Sequence, residues 1–259
     1  MIRETIIKHL TAIAISGLLL TGCDNCETRV TENTMDRLEQ LLVEIQDWED
    51  VDRAAAAVTE LDEEAVEDWL PKLRRTLVEG ESFFVREAAA NPVARMDGAK
   101  SLPILLHALK KGYDEGHDND GLQAIITDTV DAEPKTALPI VNRLTQSKET
   151  DDRQNAAWLL GYLSDHTGSE SLIELSKDTA PEVRDAALGA LSSFKDDETV
   201  YQRLLAGLKD PDSSVAISAA SALGYYGDKR AREPLQRFHD VVDPDFQDLV
   251  DDAIEQLSE

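Results

Sequence analysis

One pattern returns about every 31 residues, and it restricts the fold more than any other feature of the chain. Arg153-Gln154-Asn155-Ala156-Ala157-Trp158-Leu159-Leu160-Gly161 is followed by Arg184-Asp185-Ala186-Ala187-Leu188-Gly189-Ala190-Leu191-Ser192 and then by Ala216-Ile217-Ser218-Ala219-Ala220-Ser221-Ala222-Leu223-Gly224. Each stretch carries small residues where two helices must approach closely, then a Leu one position before Gly or Ser. A second pattern lies between them: Ser171-Leu172-Ile173-Glu174-Leu175, Arg203-Leu204-Leu205-Ala206-Gly207-Leu208 and Glu233-Pro234-Leu235-Gln236-Arg237-Phe238. Each is an apolar stripe at helical spacing. Turns such as Lys209-Asp210-Pro211-Asp212 and Val242-Asp243-Pro244-Asp245 divide the units; Asp caps a helix start and Pro is tolerated in the first turn. One hairpin cannot bury its own apolar face, so stacked neighbours must share a core. The pattern predicts an all-α, right-handed solenoid of about six helical hairpins over residues 34–259.

The motif resembles the short HEAT repeat of the phycobilisome-lyase type. That family favours Val-Arg, a small pair, then Ala-Leu-Gly in its first helix. Val183-Arg184 with Ala187, Ala190 and Leu191 fits well. Val85-Arg86-Glu87-Ala88-Ala89-Ala90 fits too, with Pro92 interrupting it, and Val51-Asp52-Arg53-Ala54-Ala55-Ala56-Ala57-Val58 is a weaker copy. Among second helices, Pro71-Lys72-Leu73 through Leu77 and Gly80 aligns with Pro103-Ile104-Leu105 through Leu109 and Gly112, and Ala137-Leu138-Pro139-Ile140-Val141 belongs with them. The resemblance runs from about residue 50 onward and is strongest after 150. It implies an Asp six residues before the Arg, forming a ladder between units. Asp178 and Arg184 keep that spacing, but Ser147 precedes Arg153 and position 216 is Ala. The ladder therefore reads as broken, which leaves stacking to apolar burial at ~25 cal/mol per Å2. The acids of Phe246 to Ile254 suit a solvent-facing terminal cap.

The first residues read differently. Arg3 and Lys8 precede an apolar run from Leu10 to Leu20, which ends in Leu20-Thr21-Gly22-Cys23. Positive start, apolar run and small residues are the order of a secretory signal rather than of a fold. The segment resembles the bacterial lipoprotein signal. That resemblance implies removal of residues 1–22 and a lipidated Cys23 at the new N-terminus, with two or three acyl chains anchoring it. It also implies a place in the cell envelope, at a membrane surface on its periplasmic or extracytoplasmic side. Asp24 resembles an inner-membrane retention signal. A thioether on Cys23 leaves Cys26 without a thiol partner, so the CxxC spacing reads as neither redox nor metal site. Residues 23–33 are polar and unpatterned, which predicts a flexible tether.

Charge narrows the partners. The chain has 52 acidic and 26 basic residues, a formal charge of −26. Phosphate binding needs clustered Lys and Arg, so nucleic acid is excluded as an expectation. The surplus reflects solubility, adaptation to salt, or a basic protein partner.

No catalytic residue or cofactor is assigned from the sequence. His107 sits in Leu105-Leu106-His107-Ala108-Leu109 and reads as a helix-face residue, and no His-Glu dipeptide of the kind used by di-iron HEAT enzymes occurs. The acidic stretch Tyr113-Asp114-Glu115-Gly116-His117-Asp118-Asn119-Asp120-Gly121 fails the EF-hand pattern, because with Gly121 at position 6 a Gly and a Thr fall at the first and last ligand positions. It reads as a solvated loop, with no metal ligand assigned. There is no Gly-x-Ser-x-Gly elbow or Gly-rich phosphate loop. Tyr162 and Tyr225 share a repeat position, and either pack at helix edges or anchor a partner. Leu163, Phe194 and Tyr226 follow at the next position and read as buried. The expected function is a non-enzymatic, membrane-anchored scaffold for a protein partner. The alternatives are a bilin lyase-like or chromophore-binding protein, as the resemblance implies, and a calcium-dependent surface module.

Overall fold

The structure is a computed structural model that describes residues 24–47, 49–163 and 167–257, with side chains from 34 on. The expected signal segment, Cys23 and His166 lie outside the described residues. Fourteen α-helices follow one another among the described residues: α1 (Asp24–Ile45), α2 (Val51–Glu64), α3 (Leu70–Glu79), α4 (Phe83–Asp97), α5 (Leu102–Asp114), α6 (Asp120–Ala132), α7 (Pro134–Leu144), α8 (Thr150–Leu160), α9 (Ser169–Leu175), α10 (Pro181–Leu191), α11 (Glu198–Gly207), α12 (Ser213–Tyr226), α13 (Arg232–His239) and α14 (Gln247–Gln256). The pairs α2–α3, α4–α5, α6–α7, α8–α9, α10–α11 and α12–α13 make six hairpins, flanked by α1 and α14. The all-α solenoid expected from the repeat is the observed fold.

The helix boundaries follow from local chemistry. Pro71, Pro103, Pro134 and Pro181 occupy first turns, where a missing N–H leaves nothing unpaired. Aspartates cap other starts: Asp50 accepts from the Arg53 N–H at 2.9 Å, Asp197 from Thr199 at 2.8 Å and Asp212 from Ser214 at 3.0 Å. Each such cap contributes about 1 kcal/mol, so part of the acidic surplus is structural. Two segments are more helical than their composition suggests. Pro92 does not interrupt its helix: α4 continues through it to Asp97, with Pro92 buried. Val85, Ala89 and Val93 bury the same helix, and that burial offsets the roughly 3 kcal/mol an interior proline costs. The polar segment expected as a tether is helical from Asp24 on and runs unbroken into α1.

Even-numbered helices form one layer, with α2 on α4, α4 on α6, α8 on α10, α10 on α12 and α12 on α14. Odd-numbered helices form the other, with α3 on α5, α5 on α7 and α9 on α11. A single apolar core runs between the layers from Leu38 to Leu257. Leu163, Phe194 and Tyr226 are buried in it, as their repeat position predicts.

The ladder is interrupted where the sequence reading breaks it, at positions 147 and 216, but three rungs join neighbouring units. Arg153 donates through Nη1 to the carbonyls of Ser147 and Lys148, and through Nε and Nη2 to the carboxylate of Asp178 at 2.7 and 3.0 Å. Arg184 repeats this on the carbonyls of Asp178 and Thr179 and the carboxylate of Asp210, at 2.8 and 2.7 Å. Arg86 makes the same carbonyl contacts with Gly80 and Glu81 and pairs with Glu115. Asp178, six residues before Arg184, thus pairs with Arg153 of the preceding unit, and Asp210 pairs likewise with Arg184. The aspartates of the two C-terminal rungs are mostly buried, and the pairing is bidentate, which strengthens it. Hydrogen bonding to arginine holds the carboxyls of Asp178 and Asp210 below their ordinary range.

Candidate functional site

The same register shows where a rung is missing. The fourth residue of α4, α8 and α10 is Arg, but in α6 it is Gln123, and Ser147 stands where the carboxylate would be. Ser147 is held within its own unit, donating to Asp152 at 2.7 Å. No packing comparable to the other even-numbered pairs joins α6 to α8 among the described residues; α7 connects the two blocks by packing on α8.

A cavity of about 430 Å3 opens at this seam. Tyr113 and Lys110 of α5, Gln123 of α6, and Asp151, Asn155 and Trp158 of α8 line it. Trp158 and Ala186 also line a second cavity, of about 420 Å3, which continues along α10 past Tyr162, Gly189 and Ser193. The two therefore form one groove. Its floor is α10, whose face carries Ala186, Gly189 and Ala190, and a Cβ built on Gly189 meets nothing within 4 Å. Its wall is an aromatic ridge at the C-terminal end of α8 and in the turn after it, with the Trp158 and Tyr162 rings edge to face at 6.0 Å. The partly exposed Trp158 ring has room on this side because position 158 corresponds to Gly189 in the next unit: the bulk is on one helix and the space on the other.

The polar groups of the groove are arranged unevenly. The Tyr113 hydroxyl accepts from Gln123 Nε2 at 2.7 Å, and burial with the nearby Asp120 and Asp118 pushes that phenol up. Lys110 crosses the seam to pair with Asp151. That hydrogen bond, with the charges of Asp151 and Asp114, raises its ammonium above the ordinary range. Gln154 is exposed and Asn155 half-buried. Their amides offer both donors and acceptors to a ligand.

The sequence-derived candidates are distributed as follows. Tyr162 is on the groove and 49% exposed. Tyr225 is 64% exposed on α12 and lines neither cavity, so the structure does not bring the two tyrosines into one site. His107 is exposed on α5. The stretch 113–121 is not simply solvated: His117 stacks on Phe83 at 4.3 Å, and Asn119 is buried against Gly112. Glu87, beside Gly121, is pushed up by burial and then by Asp118. Among the described residues, no group of three or more His, Cys, Asp or Glu side chains is placed to hold a metal ion. Sequence reasoning missed Trp158, Tyr113, Asn155 and Asp151. The available signal was a Trp at a repeat position that is Gly189 and Ser221 in later units.

Residues 137–206 match the family of HEAT repeats, and residues 215–238 match the PBS lyase HEAT-like repeat. The chain carries HEAT-like repeats. The α8–α10 part of the groove falls within the first HEAT match, and Tyr225 within the PBS lyase HEAT-like one. No curated protein matches the chain. Among solved structures, an engineered protein is similar at 18% identity and TM-score 0.44, covering 85% of this chain and 96% of its own. The E. coli protein YibA is similar at 16% identity and TM-score 0.44, covering 93% and 100%. Human deoxyhypusine hydroxylase is similar at 15% identity and TM-score 0.41, covering 90% and 98%.

Proposed function

We propose that this protein is a non-enzymatic interaction scaffold, held at a membrane surface by lipid on Cys23 and presenting its HEAT-like repeats to a protein partner. The observation that carries the reading is the open groove: the partly exposed rings of Trp158 and Tyr162 beside the amides of Gln154 and Asn155, over a floor of small residues. Aromatic rings that pack against an open, small-residue floor supply the anchor pockets on which protein contacts concentrate their energy. Stacked repeats also provide a long, continuous surface suited to a chain-like ligand. The lipobox-like Leu20-Thr21-Gly22-Cys23 supports the anchor. The surplus of acids argues against adhesion to anionic lipid through the protein body.

The test is affinity capture of the full-length protein from crosslinked native membranes, with Cys23→Ser as control. A stoichiometric envelope protein, lost together with the lipid, is the expected result. Recovery of the Cys23→Ser form in the membrane fraction overturns the anchor, and absence of any stoichiometric partner overturns the scaffold.

A further inference from the structure

The groove's chemistry selects among possible protein ligands. Its cation is supplied from within: Lys110 of α5 reaches across the seam to Asp151 of α8, with Asp114 beside it. Both members of that pair are more than half exposed, 54% and 56%, so the contact is open to exchange with solvent. Exposed pairs of this kind contribute little and are readily replaced. Next to them stand Tyr113 and Trp158, whose ring faces attract ammonium and guanidinium groups. Asn155 and Gln154 follow on the same helix, with amides able to bond a main chain that passes over α8. Beyond Trp158 the floor of Ala186 and Gly189 leaves room for backbone at close approach. The chain as a whole carries −26, which draws basic ligands and repels acidic ones.

We propose that the groove between α6, α8 and α10 takes an extended segment of the partner protein that carries lysine or arginine, one cationic side chain replacing Lys110 at Asp151 while the backbone runs past Trp158 toward Tyr162. The inference rests on the scaffold reading and names the chemistry of its partner. Lys110 acts as an internal plug that the incoming cation displaces.

The experiment measures fluorescence anisotropy of two labelled peptides, five Lys-Ala repeats and five Glu-Ala repeats, titrated with the full chain in zwitterionic micelles. The Lys peptide binds and the Glu peptide does not. Gly189→Leu fills the floor where a side chain meets nothing, and weakens binding about tenfold or more, as loss of an anchor pocket does. Its thermal melt stays at least as high as that of the wild type, which separates a blocked groove from a damaged fold. Asp151→Asn weakens binding about threefold, and Lys110→Ala tightens it by a similar factor. Lys135→Ala makes the same change of net charge elsewhere and leaves affinity unchanged. Binding that survives Gly189→Leu, or that Lys135→Ala tightens as much as Lys110→Ala, overturns the proposal in favour of diffuse attraction; no binding of the Lys peptide overturns it outright. Membrane capture keeps the two readings apart. A partner recovered equally by wild type and Gly189→Leu removes the groove and leaves the scaffold, whereas no partner removes both.

Discussion

Two of the seams that lack an arginine rung differ in outcome. Between α12 and α14 the rung position is Ala216, yet the helices pack closely. Between α6 and α8 it is Gln123, and a cavity opens. Side-chain size accounts for the difference. Gly224 of α12 lies so near α14 that an added Cβ would stand 2.8 Å from the Cα of Ala253. At the cavity α8 presents Trp158 and Asn155 instead. A rung is therefore not what closes a seam. Small residues close it, and a rung fixes the register of seams already closed.

This comparison can be broken most directly at a rung. Arg184→Ala leaves the Asp210 carboxylate, 6% exposed, without its bidentate partner. We expect a loss of about 3 kcal/mol, read as a lower urea midpoint by circular dichroism. The acid limb of the wild type should report the same pair. The native pKa of Asp210 lies below the unfolded one, so its stabilisation is complete above the ordinary Asp value of 3.8 and fades as pH falls below it. In Arg184→Ala that part of the acid dependence should be absent, and an unchanged acid limb would sink the assignment.

Next in size is a pair of glycine substitutions that should move in opposite directions. Gly224→Ala forces Ala253 backbone to shift and should cost about 2 kcal/mol. Gly189→Ala meets open space in a helix and should gain about 0.5–1 kcal/mol. Equal effects at the two sites would show that neighbouring bulk is not what distinguishes the seams.

The smallest effect concerns Glu87, whose carboxyl is raised chiefly by burial. For an acid with a raised native pKa, ionisation costs stability once pH climbs past the unfolded value of 4.5. Glu87→Gln should raise the thermal midpoint at pH 7 by under about 1 kcal/mol equivalent and leave it unchanged at pH 4. A gain of the same size at both pH values would exclude an ionisation effect.

The repeat period made the helical stack legible, because small residues and leucines recur at fixed spacing wherever the same contact is built. Leu163, Phe194 and Tyr226 could be placed in the core for that reason. The breaks of the ladder were legible, but the carboxylate partners of its rungs were not, because they lie 25 to 29 residues from their arginines. Spacing within one unit pairs Asp178 with Arg184, whereas the carboxylate of Asp178 faces back to Arg153 and only its carbonyl serves Arg184. Pro92 breaks the repeat pattern but not the helix, because propensity is local while the burial that overrides it is not. The groove was invisible for a related reason. Trp158 looks like one more apolar residue on a helix until its counterpart, Gly189, is seen to leave space in front of it.

Asp178 joins two rungs at once, so Arg153, Asp178, Arg184 and Asp210 are connected in series across three units. In mechanical terms the stack is an uneven spring. Tension along its axis is shared by that charged chain from α8 to α12, whereas the seam before α8 is crossed by the exposed Lys110–Asp151 pair. We expect compliance to concentrate at the seam that carries the groove, so that bending there would change the width of the groove while the units on either side keep their shape.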